Sequence, residues 1–115
     1  MQTYGYNLID LVEQAKYLKQ IYKSKLHRGD RLFVKTLRSV YVIRVLGNGY
    51  YLVTGGWFDR KELSPMKVTI SGCTWGGSAI KIDIVAACGM RLEFGNRLVT
   101  SSIQKIFYFP YGSEN

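Results

Sequence analysis

Between Leu32 and Val53 apolar residues recur with the two-residue period of a β-strand. Tyr41, Ile43 and Val45 fall on one face, and Val40, Val42 and Arg44 on the other. Neither face is cleanly polar, so the pattern predicts a strand covered on both sides. Valine, isoleucine, tyrosine and phenylalanine dominate the stretch and suit a pleated, half-buried surface. At its centre stands Gly47-Asn48-Gly49. Asn-Gly tolerates the positive φ that a type I′ hairpin turn needs at both central positions, and Gly47 leaves room for a bulge. The expected strands are 31–37, 40–46 and 50–54, with Gly55-Gly56 ending the hairpin.

Upstream the period changes. Leu8, Leu11, Ala15, Leu18 and Tyr22 recur at helical spacing, with Val12 and Ile21 beside them. Asn7 is a candidate N-cap, Asp10 suits the first turn, and Tyr6 with Leu11 can form a hydrophobic staple. The pattern predicts an amphipathic helix over 8–26 after an arm at 1–6. Lys16, Lys19 and Lys23 then share one helix face, in the later turns where the helix dipole favours cations. Gly29-Asp30 reads as the turn into the first strand.

Downstream, Trp57 to Pro65 reads as a loop or single helical turn, with Trp57 and Phe58 either a lid on the core or an exposed aromatic platform. Lys67–Ser71 is a strand, and Gly72–Ser78 is the most loop-like apolar stretch. Ile80, Ile82 and Ile84 alternate with Lys81 and Asp83, as Met90, Leu92 and Phe94 do with Arg91 and Glu93. Gly95-Asn96 predicts a two-residue turn into 98–100, and 103–109 is the last strand, stopped by Pro110. Together these predict one α+β domain over 1–115: helix 7–27, sheet region 31–109 and tail 110–115. The helix packs on a small, strongly bent antiparallel sheet or a partly open barrel of about seven strands.

Composition narrows the classes. A hydrophobic fraction of 47% in 115 residues can bury a core without staples. Apolar runs are too short to span a bilayer, and no basic-then-apolar leader opens the chain. No membrane partner is expected, and the cytoplasm follows by default. The net charge of +8 is uneven. Lys16, Lys19, Lys23, Lys25, Arg28, Arg31, Lys35, Arg38 and Arg44 are opposed over that interval only by Asp30. Such a cluster attracts polyanions, of which nucleic acid is the commonest inside a cell. The competing reading is a solubilising surface.

Arg28-Gly29-Asp30-Arg31-Leu32-Phe33-Val34, the tyrosine-rich hairpin and Lys61-Glu62-Leu63-Ser64-Pro65 together resemble SH3-like small barrels, with a Gly-Asp opening and a Leu-x-Pro after the hairpin. The resemblance implies a module that binds peptide or nucleic acid and is seldom an enzyme. Val53-Thr54-Gly55-Gly56, the Ser71–Ser78 stretch and Thr100-Ser101-Ser102-Ile103 resemble a pattern in small uncharacterised bacterial β-rich proteins, which implies no activity.

The catalytic inventory is thin. His27 is the single histidine, Cys73 and Cys88 show no CxxC spacing, and Asp83 and Glu93 point outward beside basic neighbours. The thiols read as reduced and half-buried, with a Cys73–Cys88 bridge as the alternative. No cofactor or metal is implied. The first expectation is a non-enzymatic, nucleic-acid-associated module. Lys16, Lys19, Lys23, Arg28, Arg31, Lys35, Arg38 and Arg44 would meet phosphates, and Tyr50 and Trp57 would stack, with Tyr41 also a candidate. The second is a protein-interaction or regulatory module, possible also as a homodimer. The third is an anion or small-ligand site at Gly72, Thr74, Trp75, Gly76, Gly77 and Ser78, where backbone N–H groups can converge on an oxyanion.

Overall fold

The computed structural model describes residues 16–76 and 79–111. Ten strands run in chain order: β1 (Lys16–Leu18), β2 (Gln20–Tyr22), β3 (Arg31–Thr36), β4 (Val40–Gly47), β5 (Tyr50–Gly55), β6 (Met66–Thr74), β7 (Ile80–Lys81), β8 (Ile84–Ala87), β9 (Arg91–Phe94) and β10 (Val99–Phe109). A short 3-10 turn, Lys23–Lys25, follows β2, and one short helix, α1 (Gly56–Arg60), follows β5.

Six of these strands close a barrel in the order β3-β4-β5-β6-β9-β10 and back to β3, all antiparallel. Closure depends on the two longest strands changing partner along their length. β6 pairs with β5 through Met66–Thr69 and with β9 from Ile70 to Thr74. β10 pairs with β9 at Val99 and Ser102 and with β3 from Ile103 to Phe109. Register shifts at Ile70/Gly72 and Ile103/Lys105 mark the bends, as bulges do at barrel corners. β1 adds to β10 outside the ring, β7 adds to β6, and β2 with β8 forms a separate ribbon.

Alternation delivers the core. Leu32, Val34, Tyr41, Ile43, Val45, Tyr51, Val53, Val68, Ile70, Leu92, Phe94, Ile103 and Ile106 all point inward and are buried. Each such large side chain contributes about 1.5–3 kcal/mol by leaving water. Val40 and Arg44 lie exposed on the other face of β4, so the expectation of a strand covered on both sides is corrected.

Two turns read from sequence can be checked in detail. Asn48 and Gly49 both have positive φ, 57° and 82°, and the pairing slips between Val45 and Gly47, as a type I′ turn with an adjacent bulge requires. The Gly95-Asn96 turn is longer than expected. The Arg97 N–H donates to Phe94 O, the Phe94 N–H donates to Leu98 O, and Arg97 takes the positive φ of 70°. This is a three-residue loop ending in a left-handed residue.

Gly55 and Gly56 carry the chain over Tyr41, with φ of 101° and 48°. A Cβ at Gly55 would meet the Val40 carbonyl, and one at Gly56 the Tyr41 ring. That close passage drops Phe58 into the barrel end, fully buried and edge-on to Tyr41 and Phe94 at 6.2 and 5.1 Å between ring centres. Phe58 is thus the lid, while Trp57 packs partly buried beside it.

The α+β class with a packed N-terminal helix is overturned. Residues 16–25 form β1, β2 and the 3-10 turn, and the fold is mostly β, with α1 its one short helix among the described residues. Arm residues 1–6 and the helix start at 7–15 lie outside the described residues, as do Gly77, Ser78 and the tail beyond Tyr111. The physical reason is a contest between local period and distant backbone partners. Tyr17, Leu18, Ile21 and Tyr22 are good strand residues as well as helically spaced ones. β10 and β8 offer them ladders, and only Ile21 of this stretch is fully buried. The partly open seven-stranded barrel is likewise replaced by a closed six-stranded one. Ile80–Ile84 is broken, with Ile82 exposed, and Val99–Phe109 forms one bent strand where two were expected.

Candidate nucleic-acid interface and arginine cleft

Cross-strand register arranges the outward side chains of β1, β10, β3, β4, β5 and β6 into rows. The central row is Tyr17, Phe107, Phe33, Val42 and Thr54. On one side lies Phe109, Arg31, Arg44, Leu52 and Lys67. On the other lies Lys105, Lys35 and Val40. Neighbouring positions along a strand row are about 4.8 Å apart, and successive rows about 6.7 Å. An aromatic band therefore runs between two cationic bands. Tyr17 is exposed, while Phe33, Phe107 and Phe109 are half-buried. Tyr17 meets Phe107 edge-on at 5.4 Å, and Phe33 meets Phe109 at 5.0 Å. The Lys67 ammonium sits 4.5 Å from the Tyr50 ring centre.

No carboxylate occupies any of these outward positions. Arg31 stands directly opposite Arg44, and Lys35 directly opposite Lys105. Like charges directly opposed across a ladder destabilise a sheet. Among the described residues no lysine or arginine makes an ion pair; the His27–Asp30 contact at 3.9 Å is the one acid–base pair.

Asp30 fixes the start of β3, where this face begins. It is 2% exposed, and its carboxylate accepts from the His27 N–H, the Tyr108 hydroxyl and the Tyr111 N–H, each at 2.8 Å. Burial and the neighbouring Asp30 carboxylate push the Tyr108 hydroxyl up to about 12. By sequence Asp30 is a turn residue of Gly29-Asp30. The signal for its anchoring role was weak: one acid inside a long basic interval.

The remaining expected phosphate contacts scatter. Arg28 borders a groove with Gly29, Arg44, Val45, Leu46 and Tyr111, at the edge of the cationic face. Lys16 pairs with Tyr108, on the opposite side of β1 from Tyr17. Lys19 lines a separate groove with Tyr22, Trp75, Lys81 and Met90. The Lys23 ammonium donates to Ser71 O at 3.4 Å. The common lysine face therefore disappears with the helix that would have made it.

Gly72 and Thr74, expected in an open loop, belong to β6 and are buried. A Cβ at Gly72 would meet the Lys81 carbonyl, so that glycine serves the close approach of β7. The Thr74 hydroxyl donates to Ala79 O at 2.8 Å and accepts from the Gly76 N–H at 3.1 Å. Trp75 is 68% exposed, and Gly76 lies beside the Arg91 guanidinium.

A further concave feature lies at the end of the barrel that α1 covers. A cleft of about 310 Å³ is bordered by Arg38, Arg60, Arg91, Trp57, Ser39 and Ser101, with Leu37, Leu98 and Val99 on its walls. The buried Thr36 hydroxyl accepts from the Arg38 and Ser39 N–H groups and donates to Ser39 O, shaping the turn that carries Arg38. The Arg38 N–H also donates to Ser101 Oγ at 3.1 Å, and Arg60 Nη1 donates to Ser39 Oγ at 3.4 Å. Tyr41 lies beneath, accepting the Trp57 N–H at 3.4 Å.

Cys73 is buried, donates to Val85 O at 3.4 Å, and burial pushes its thiol up to about 11. That is the opposite of an activated nucleophile. Cys73 and Cys88 are both free. Among the described residues no cluster of metal-ligating side chains occurs, and no helix is long and apolar enough to cross a membrane.

The chain is a small closed β-barrel, an architecture consistent with the SH3-like resemblance of residues 28–67. No protein-family model, curated protein or solved structure matches it. The comparisons add nothing to the likeness drawn from residues 53–103.

Proposed function

We propose that the protein is a non-enzymatic module that lays a single-stranded nucleic acid across the outer face of β1, β10, β3 and β4, with little sequence preference. Bases stack on Tyr17, Phe107 and Phe33, and phosphates meet Arg31 and Arg44 on one side and Lys35 and Lys105 on the other. The observation that carries this reading is the aromatic row flanked by opposed like-charged pairs, with no acid on that surface among the described residues. Aromatic platforms and basic tracks are the shared ingredients of sequence-tolerant strand binders, because every base has a π-face. An anionic partner would also relieve the cross-strand repulsion.

The test is fluorescence anisotropy of a labelled oligothymidylate over a salt series. Affinity should fall log-linearly with salt, with a slope of about −0.7 per phosphate neutralised. Four engaged cations give a slope near −3 on that scale. Absence of binding at low salt, or binding indifferent to salt, overturns the reading.

A further inference from the structure

We infer that the cleft bordered by Arg38, Arg60 and Arg91 is a separate site for a phosphomonoester of nucleotide size, carried by a free nucleoside monophosphate or by the 5′ end of a strand. Three arginines from three different elements line one small cleft: the β3–β4 turn, α1 and β9. No carboxylate borders it, and none of the three arginines is ion-paired among the described residues. Guanidinium forks match phosphate oxygens geometrically, and three positive charges suit a dianion better than a single carboxylate.

The hydroxyls complete the donor set. Ser101 Oγ already accepts the Arg38 N–H, and Ser39 Oγ already accepts from Arg60. Each keeps its O–H hydrogen to donate. Trp57, Leu98 and Val99 supply an apolar wall that a base can cover. The volume of about 310 Å³ lies at the small end of the roughly 300–1,000 Å³ typical of ligand sites, which fits one nucleotide and not a run of them. The β3–β4 turn joins Thr36 to Val40, next to the Lys35–Val40 pair, so the cleft adjoins one end of the cationic face. The inference does not depend on that face binding a strand.

The experiment is calorimetric titration with adenosine 5′-monophosphate against adenosine, and with 5′-phosphorylated against 5′-hydroxyl oligodeoxyadenylate. The phosphate should tighten binding by roughly tenfold to a hundredfold in at least one pair. A gain confined to the mononucleotide identifies a free nucleotide as the source. A larger gain for the oligonucleotide identifies the strand end. Arg60→Gln and Arg91→Gln, both exposed positions, should erase the gain without moving the melting midpoint. Arg31→Glu with Arg44→Glu should leave the gain for the mononucleotide intact, which separates this site from the sheet face. Equal affinity with and without phosphate in both pairs, or a phosphate gain that survives both arginine substitutions, overturns the inference.

Discussion

The outer face of β3, β4 and β10 and the flank formed by residues 16–25 are both rich in cations, yet only one of them becomes a surface. On the face, strand register sets Arg31 beside Arg44 and Lys35 beside Lys105, with Phe33 and Phe107 between. On the flank, Lys16, Lys19 and Lys23 point to three different surroundings. Charge along a chain therefore says little about a site until the ladder that carries it is known. The comparison also separates exposure from availability: Lys23 already has a carbonyl partner, whereas Arg31 and Arg44 have each other.

The sharpest way to break this contrast is paired charge reversal. Arg31→Glu with Arg44→Glu should weaken strand binding by at least roughly a hundredfold, taking about 1.5–3 kcal/mol for each charge-assisted contact. Lys19→Glu with Lys23→Glu should stay within about threefold, the remainder left by long-range screening. Anisotropy at low salt checks both, and equal losses would erase the distinction between face and flank.

Next in size is the anchor beneath the face. Asp30→Ala leaves the Tyr108 hydroxyl and two backbone N–H groups without their acceptor. It should cost about 3 kcal/mol or more, the upper end for one charge-assisted hydrogen bond, read by urea denaturation. A smaller effect follows from aromatic truncation. Tyr17 is 54% exposed, so Tyr17→Ala should lose about 1–3 kcal/mol of binding per stacked base with little change in stability. Unchanged affinity would remove Tyr17 from the platform.

The pH dependence tests the same anchor. The Tyr108 hydroxyl is raised from 10.0 to about 12 in the folded chain. The folded state holds that proton more tightly than the unfolded one. Its contribution is full below pH about 10 and is lost as pH climbs toward about 12. Absorbance titration should show late ionisation of Tyr108 together with Tyr51, which burial also raises, and Tyr108→Phe should remove one tyrosine's worth of that transition. Smallest of all, the partly exposed Cys88 should react with a thiol reagent in the native protein, while buried Cys73 should react only on unfolding. Labelling followed by mass spectrometry reads this directly.

The central hairpin was legible because two independent signals agreed there: alternation through Val53 and the left-handed demand of Asn48-Gly49. The two glycines before Phe58 left a lid and an exposed platform both open, and its burial at the barrel end selects the lid. Residues 16–22 misled because Leu18, Ile21 and Tyr22 satisfy a helical period while also suiting strands, and the deciding partners, Ile106 and Ala86, lie more than sixty positions away. Of the proposed interface, Arg31, Lys35 and Arg44 were readable from charge. Lys105, Phe107 and Phe33 were missed, although Lys105-Ile106-Phe107-Tyr108-Phe109 carries the outward alternation of a cation with aromatics. The arginine cleft was not legible as a unit. Arg38, Arg60 and Arg91 are far apart in the chain, and only barrel closure brings their elements to one end.

The partner exchange along β10 has a consequence for synthesis. This one strand holds β1, β3 and β9 together, and its pairing with β3 joins Arg31 to Phe109. Contacts so distant in sequence are slow to form because a long loop must first be ordered. A ribosome can release the β3–β5 meander early, but Phe107 and Lys105 reach it only once β10 has emerged. A nascent chain halted before that point carries Arg31, Arg44 and Phe33 without Phe107 or Lys105. On the proposed reading, emergence of β10 is therefore the step that sets Phe107 beside Phe33 and Lys105 beside Lys35.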